Sequence, residues 1–258
     1  MAKLKVGLQL YSLRDDMPKD PFGTVREVAE AGFDGVEFAG FYGKSALEWR
    51  EFLDKVGLEV AGAHIGVNGF IGEELNKTIE YNRLLWNRNL IIPGVPEEWR
   101  RGRAGWLRFA GMLNDWSRIL GGFGMRIGYH NHWLEFQPVE GELPFHLVFS
   151  NTNSGVIAQI DLGHAYRAGL SNSDIVDLIK RYSGRVLTVH VKDYSKSKGY
   201  NVAVGEGELN WVEILGALRK YGGTEWLIIE NEEYPYKPPI ETVKVSLKNL
   251  RNMLSTVA

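Results

Sequence analysis

The sequence predicts a closed (β/α)8 TIM barrel, a single domain over residues 1–258. Three observations carry that expectation. Strand-like stretches alternate with helical ones through eight units. No Pro/Ser-rich linker divides the chain. A chain of about 250 residues with eight such units suits a barrel better than an open sheet. The competing doubly wound sheet normally places a phosphate-binding glycine fingerprint after its first strand, where this chain reads YSLRDD.

The first strand is expected over residues 3–10, with Gln9, Tyr11 and Ser12 at or beyond its end. Residues 21–31 carry apolar side chains at helical spacing (Phe22, Val25, Val28, Ala29) and stop at Gly32, a residue suited to ending a helix. Strand two is FDGVEF, residues 33–38, with Glu37 near its end. Ser45 and Glu48 form a capping-box pattern for a helix to Val56, stopped by Gly57. Strand three (58–65) carries His64, a helix covers 73–86, and strand four is 89–93. The helix over 102–120 closes at Gly121-Gly122. Strand five lies in MRIGYHNHWLEF, residues 125–136, where an extended chain turns His130 and His132 to one side and Tyr129 and Asn131 to the other. A short helix over 144–149 precedes strand six (155–160), which runs into Asp161. Ser171 caps a helix to Tyr182, strand seven is 185–191, and the loop GEGELNW leads a helix to Tyr221. Strand eight (226–230) and a helix over 240–253 complete the alternation.

Composition excludes several functions. The net charge of −2 gives no reason to expect a polyanionic partner, so nucleic acid is not expected. With no cysteine, disulfides, thiolate metal sites and cysteine nucleophiles are excluded. The opening MAKLKVGLQLYSLRDD lacks the apolar run of a secretion signal, and no later run approaches the ~20 residues of a membrane span. A cytoplasmic protein without membrane attachment is the expectation.

In such a barrel the active site lies at the C-terminal ends of the strands. Of the six histidines, His64, His130, His132, His164 and His190 fall at or just beyond strand ends, and only His146 falls in a helix. Glu37, Asp161 and Glu230 repeat the pattern with carboxylates. One histidine at a strand end is ordinarily a hydrogen-bonded structural residue; five around one mouth point to a site. Strands five to eight contribute His130 and Glu135, Asp161, His190 and Glu230. Imidazoles and carboxylates without thiolates suit one divalent cation of the Mn, Mg, Co or Zn kind. Such a cation polarises a carbonyl, and a carboxylate beside it removes and returns a proton on carbon.

The stretches GLQLYSLRDD, AGFDGVEF, AHIG, YHNHWLEF, DLGHAYRAG, VHVKD, GEGELNW and IIENE span essentially the whole chain. In that order they resemble the xylose isomerase-like TIM barrels, the sugar phosphate isomerases and epimerases related to D-tagatose 3-epimerase, hydroxypyruvate isomerase and inosose dehydratase. The resemblance implies one metal held by Glu, Asp, His and Glu from the last four strands, two of the carboxylates also serving as acid and base. Asp161, His190 and Glu230 match three of these positions. His164 matches a substrate-binding histidine, and Lys196 lies near a substrate-contacting arginine. The family's glutamate on strand five is replaced here by His130. Either His130 ligates the metal itself, or Glu135 reaches back to it; Glu135 is the expected ligand, with His130 or His132 as base or substrate contact.

The expected metal set is therefore Glu135, Asp161, His190 and Glu230. The expected catalytic residues are Glu230, His130 and Glu135, with substrate contacts from His64, His132, His164, Lys192 and Lys196. Lys192 either orients a substrate hydroxyl or pairs with Asp193. Trp133 and Trp211 either wall a sugar pocket or pack beneath loops. Trp99, Trp106 and Trp116 belong either to the barrel wall or to a homo-oligomer interface. The expected activity is sugar or sugar phosphate isomerisation or epimerisation by proton abstraction next to a carbonyl. The histidine-rich fifth strand makes a dehydratase or lyase of a keto-sugar or keto-inositol the alternative. A DNA-repair endonuclease and a non-catalytic sugar-binding barrel rank below both.

Overall fold

The computed structural model describes residues 4–257; Lys3, where the expected first strand begins, lies outside the described residues. Eight strands pair in parallel in chain order: β1 (Lys5–Gln9), β2 (Gly35–Phe38), β3 (Glu59–His64), β4 (Asn89–Ile92), β5 (Arg126–His130), β6 (Ile157–Asp161), β7 (Thr188–Val191) and β8 (Trp226–Ile229). β8 pairs back with β1, Lys5 opposite Trp226, which closes the barrel. Around it lie α1 (Pro21–Ala31), α2 (Ala46–Val56), α3 (Glu73–Leu85), α4 (Gly102–Gly121), α5 (Pro144–Phe149), α6 (Leu162–Arg167), α7 (Asn172–Arg181), α8 (Trp211–Ala217) and α9 (Pro239–Thr256).

Local chemistry sets the helix ends. Asp20 accepts from the Gly23 amide ahead of Pro21, which begins α1. Ser45 with Glu48, and Ser171 with Asp174, form complete capping boxes on α2 and α7. α6 departs from the sequence expectation, which places no helix there. It starts because the Asp161 carboxylate accepts from the His164 amide at 2.7 Å and so caps a six-residue helix directly on the end of β6. Strand five also ends earlier than expected, at His130, and the chain turns into a 3-10 segment, Leu134–Phe136.

The core has two layers. Inside the barrel, Trp226 packs with Ala61 and Ile228. Gly35 makes room for it, since a Cβ there would stand 2.7 Å from the Trp226 ring and 2.5 Å from the Glu59 carbonyl oxygen. Between barrel and helices, the outward-facing Tyr129 packs against Trp106 and Phe109 of α4 and Phe149 of α5. Trp106 and Trp116 are buried in this layer, as the barrel-wall reading has them. Among the described residues no helix is long and apolar enough to cross a membrane.

Parallel register sets the site. Asp161 lies opposite His190, and His190 opposite Ile228, so Glu230, two residues beyond Ile228, falls on the same face.

Candidate metal centre

His130, Asp161, His190 and Glu230 bring one ligand atom each to within 4.8 Å of one another, all four buried. They come from β5, β6 and β7 and the residue after β8. Each imidazole has one nitrogen engaged from behind and turns the other toward the cluster. His130 Nδ1 lies 3.1 Å from Gln159 Oε1, leaving Nε2 3.9 Å from Asp161 Oδ2. His190 Nε2 lies 2.6 Å from Glu37 Oε2, leaving Nδ1 2.7 Å from Glu230 Oε2.

A second tier of polar side chains, one layer down the barrel, holds these rings. Glu37 accepts from Gln9 Nε2 and Gln159 Nε2, each at 2.7 Å, besides facing His190 and, at 3.2 Å, His64. Gln159 also meets His64 Nε2 at 2.8 Å and donates to Thr188 Oγ1 at 2.9 Å. Burial alone would raise the Glu37 pKa, but His64 and His190 pull it well below the usual carboxylate range. Burial, with His190 and His64 beside it, drives His130 well below an ordinary histidine. It is therefore neutral, the form that ligates a metal. Burial works against charge on His190 too, but Glu37 and Glu230 outweigh it and lift its pKa to about 10, so Nδ1 ligates a cation only by giving up the proton it shares with Glu230.

Asp161 has one carboxylate oxygen without a hydrogen-bond donor. Its Oδ1 caps α6, while Oδ2 is fully buried and receives no hydrogen bond. The Lys192 ammonium stands 2.9 Å from Oδ2, an ion-pair distance without hydrogen-bond angles. A buried carboxylate oxygen left in this way, facing two imidazole nitrogens and a second carboxylate, fits a divalent cation.

The structure places the expected strand-five ligand apart from the cluster. Glu135 is 1% exposed and stands outside the cluster. Its carboxylate accepts from the Tyr129 hydroxyl and, at 2.7 Å, from the His132 amide. The cause is the turn after His130, which carries Glu135 behind the strand to meet Tyr129 on the helix-facing side. His130 takes the place in the cluster that Glu135 was expected to fill.

A pocket of about 710 Å³ opens above the cluster, lined among others by His64, His130, His132, Trp133, His164 and Glu230. The imidazoles expected to contact substrate thus stand together. Burial and the neighbouring His164 push the His132 pKa down to about 4. Lys192 is buried beneath the pocket rather than on its wall. Lys196 is exposed on the loop after β7, its amide donating to Glu208, and it does not line the pocket. Trp133 does line the pocket, whereas Trp211 is buried. His146 is structural, its Nδ1 2.7 Å from the Tyr182 hydroxyl in the outer layer.

Trp211 shows what the GEGELNW loop is for. Asp193 accepts from Trp211 Nε1 and the Gly205 amide at 2.8 Å each, and from the Gly207 amide at 3.1 Å, so one buried carboxylate gathers the loop. A Cβ on Gly207 would sit 2.1 Å from Asp193 Oδ1 and 2.6 Å from the Tyr194 carbonyl oxygen. Gly207→Ala is expected to cost about 2 kcal/mol and lower the melting temperature by several degrees. A melt coincident with wild type would remove Asp193 from that role.

Gln9 and Gln159 are absent from the expected site set. The usable signal for Gln159 is its place two residues before Asp161, hence on the same inward face of β6. A larger cleft, about 1020 Å³, lies at the opposite end of the barrel beside Lys5 and Trp226 and contains none of the expected site residues.

Comparisons with known proteins agree with the fold. A family model described as the xylose isomerase-like TIM barrel matches residues 25–253. The inosose dehydratase of Histophilus somni (strain 129Pt) is 24% identical over 246 residues, 82% of this chain and 82% of that protein. Two solved structures superpose over nearly the whole barrel. A sugar phosphate isomerase/epimerase from Parabacteroides distasonis ATCC 8503 has a TM-score of 0.80 at 21% identity, covering 98% of this chain and 96% of that one. The IolI protein with a bound zinc atom has a TM-score of 0.75 at 13% identity, covering 99% of each.

Proposed function

The chain belongs to the xylose isomerase-like TIM-barrel family, and from that premise we propose that it is a metal-dependent dehydratase of a polyol ketone, a keto-sugar or keto-inositol. The observation that carries this reading is the withdrawal of Glu135 from the pocket. Glu230 is then the one carboxylate that both belongs to the cluster and lines the pocket. A symmetrical epimerisation needs an acid and a base on opposite faces of the substrate carbon. Elimination of water next to a carbonyl needs only one group that takes a proton and gives it up nearby.

Glu230 is suited to the first task. Burial would raise its pKa, but Lys192 and His190 hold it well below the usual range, so it is a free carboxylate at neutral pH. It takes the proton from the carbon next to the carbonyl and returns it to the hydroxyl departing from the adjacent carbon on the same face. Water leaves and a C=C bond forms. His64, His132 and His164 hold the remaining hydroxyls, and Trp133 covers an apolar ring face. His130, Asp161, His190 and Glu230 would hold the divalent cation, which when bound supplies electrophilic stabilisation of the charge gathering on the carbonyl oxygen. The curated inosose dehydratase relative adds support for this substrate class.

The second reading is isomerisation or epimerisation, favoured by the imidazoles of His64 and His132 lining the same pocket as Glu230. One experiment separates the two. Protein loaded with Mn²⁺, Co²⁺ or Zn²⁺ is incubated in D₂O with a panel of keto-sugars and keto-inositols and followed by mass spectrometry. The dehydratase reading predicts a product lighter by one water. Deuterium gain without water loss would establish the isomerase reading instead, and neither change on any substrate would end both. Chelator treatment is expected to abolish turnover, and the cation at roughly a hundredfold excess over its Kd is expected to restore it and stabilise the fold by about 3 kcal/mol. Equal melting temperatures with and without metal would count against the ligand set.

A further inference from the structure

We propose that Lys192 is the site's own counter-cation: a divalent cation binds by taking Asp161 and Glu230 from its ammonium, which passes to Glu232 and His164 at the pocket. This rests on the metal reading above. The ammonium stands 2.9 Å from Asp161, 3.0 Å from Glu230 and 2.5 Å from Glu232, with His164 Nε2 at 3.2 Å. Two of its three carboxylates belong to the proposed ligand set, and Glu232 does not.

Buried carboxylates cannot be left without a cation, and an ammonium and a divalent cation repel strongly at such distances in a dry interior. The two cations therefore exclude each other from Asp161 and Glu230. Glu232 is built to receive the ammonium. Its side chain is 29% exposed, it lines the pocket, and it is already in contact, so the transfer needs rotation of the lysine side chain and no backbone movement. His164, the other receiving group, is held by the Tyr200 hydroxyl at 2.6 Å. The consequence is a coupling: metal occupancy sets the ammonium against the pocket wall, where a substrate oxygen can meet it.

The test is equilibrium titration with Mn²⁺ or Co²⁺ alone, without substrate, on wild type, Lys192→Met, Glu232→Gln and the double variant. Lys192→Met is expected to bind the cation at least about tenfold more tightly than wild type. Glu232→Gln is expected to bind it about tenfold more weakly, because the displaced ammonium loses its destination. In the Lys192→Met background the Glu232 change is expected to shift affinity by less than about twofold. Metal-free Lys192→Met is expected to melt below wild type and to recover with the cation. Lys192→Gln is titrated in parallel, so that a folding failure of one variant does not decide the outcome. Binding by both lysine variants no tighter than wild type would overturn the exchange. An equal Glu232 effect in both backgrounds would overturn it too, since simple loss of charge attraction needs no Lys192. A wild-type protein that binds neither cation would instead overturn the metal reading beneath it.

Discussion

Glu230→Gln is expected to lower turnover by about 10²–10⁴-fold, the range a positioned acid–base group supplies, while leaving the barrel closed. Glutamine fills the same space but takes up no proton from carbon. Folding should survive because the remaining charges keep partners: Lys192 retains Asp161 and Glu232, and His190 retains Glu37. The discriminating readout is deuterium exchange at the carbon next to the carbonyl. It should fall in parallel with turnover, and exchange at the wild-type rate in this variant would remove Glu230 as the base. Metal affinity should also fall, so the assay is run with the cation saturating.

Glu37→Gln carries the second largest expected effect, a loss of about 10–100-fold in metal affinity, although Glu37 is not in the ligand cluster. Its carboxylate collects donors from the buried Gln9, Gln159 and His190 and from the half-buried His64. Glutamine at this position offers one acceptor oxygen and brings two N–H donors into a ring of donors. His190 would then lose the partner that keeps its Nδ1 turned toward Glu230, and a buried polar network with one member mispaired is costly. Titration with Zn²⁺ or Co²⁺ measures the effect, and the visible spectrum of bound Co²⁺ reports whether the ligand geometry has moved. A variant with wild-type affinity and an unchanged spectrum would reduce Glu37 to packing.

The barrel was legible because its units are local. Gly32 and Gly57 end helices, Ser45 with Glu48 and Ser171 with Asp174 start them, and each leaves a mark a few residues long. The convergence of Asp161, His190 and Glu230 was also legible, since closing the barrel puts strand ends on one rim. The position of Glu135 was not legible, for a physical reason. Its spacing from His130 allows either a reach back to the rim or a turn beneath it, and Tyr129, whose hydroxyl donates to it, faces the opposite side of the strand. The direction of Lys196 was not legible because a loop position says little about direction: the Glu208 carboxylate accepts from its backbone amide. The helix after Asp161 was missed because a carboxylate ending a strand also served as its cap, and one residue filling both roles leaves a single mark. Glu37 and Gln159 depend on partners far apart in sequence, and only the closed barrel brings those donors to one acceptor.

Anomalous diffraction from crystals equilibrated with Mn²⁺ or Zn²⁺ tests the central claim most directly. The expected result is one peak at the mouth of the barrel, bound by His130, Asp161, His190 and Glu230, with Glu135 still bonded to Tyr129. A pocket without a peak at saturating metal, or a peak whose ligands include Glu135 in place of His130, would contradict it.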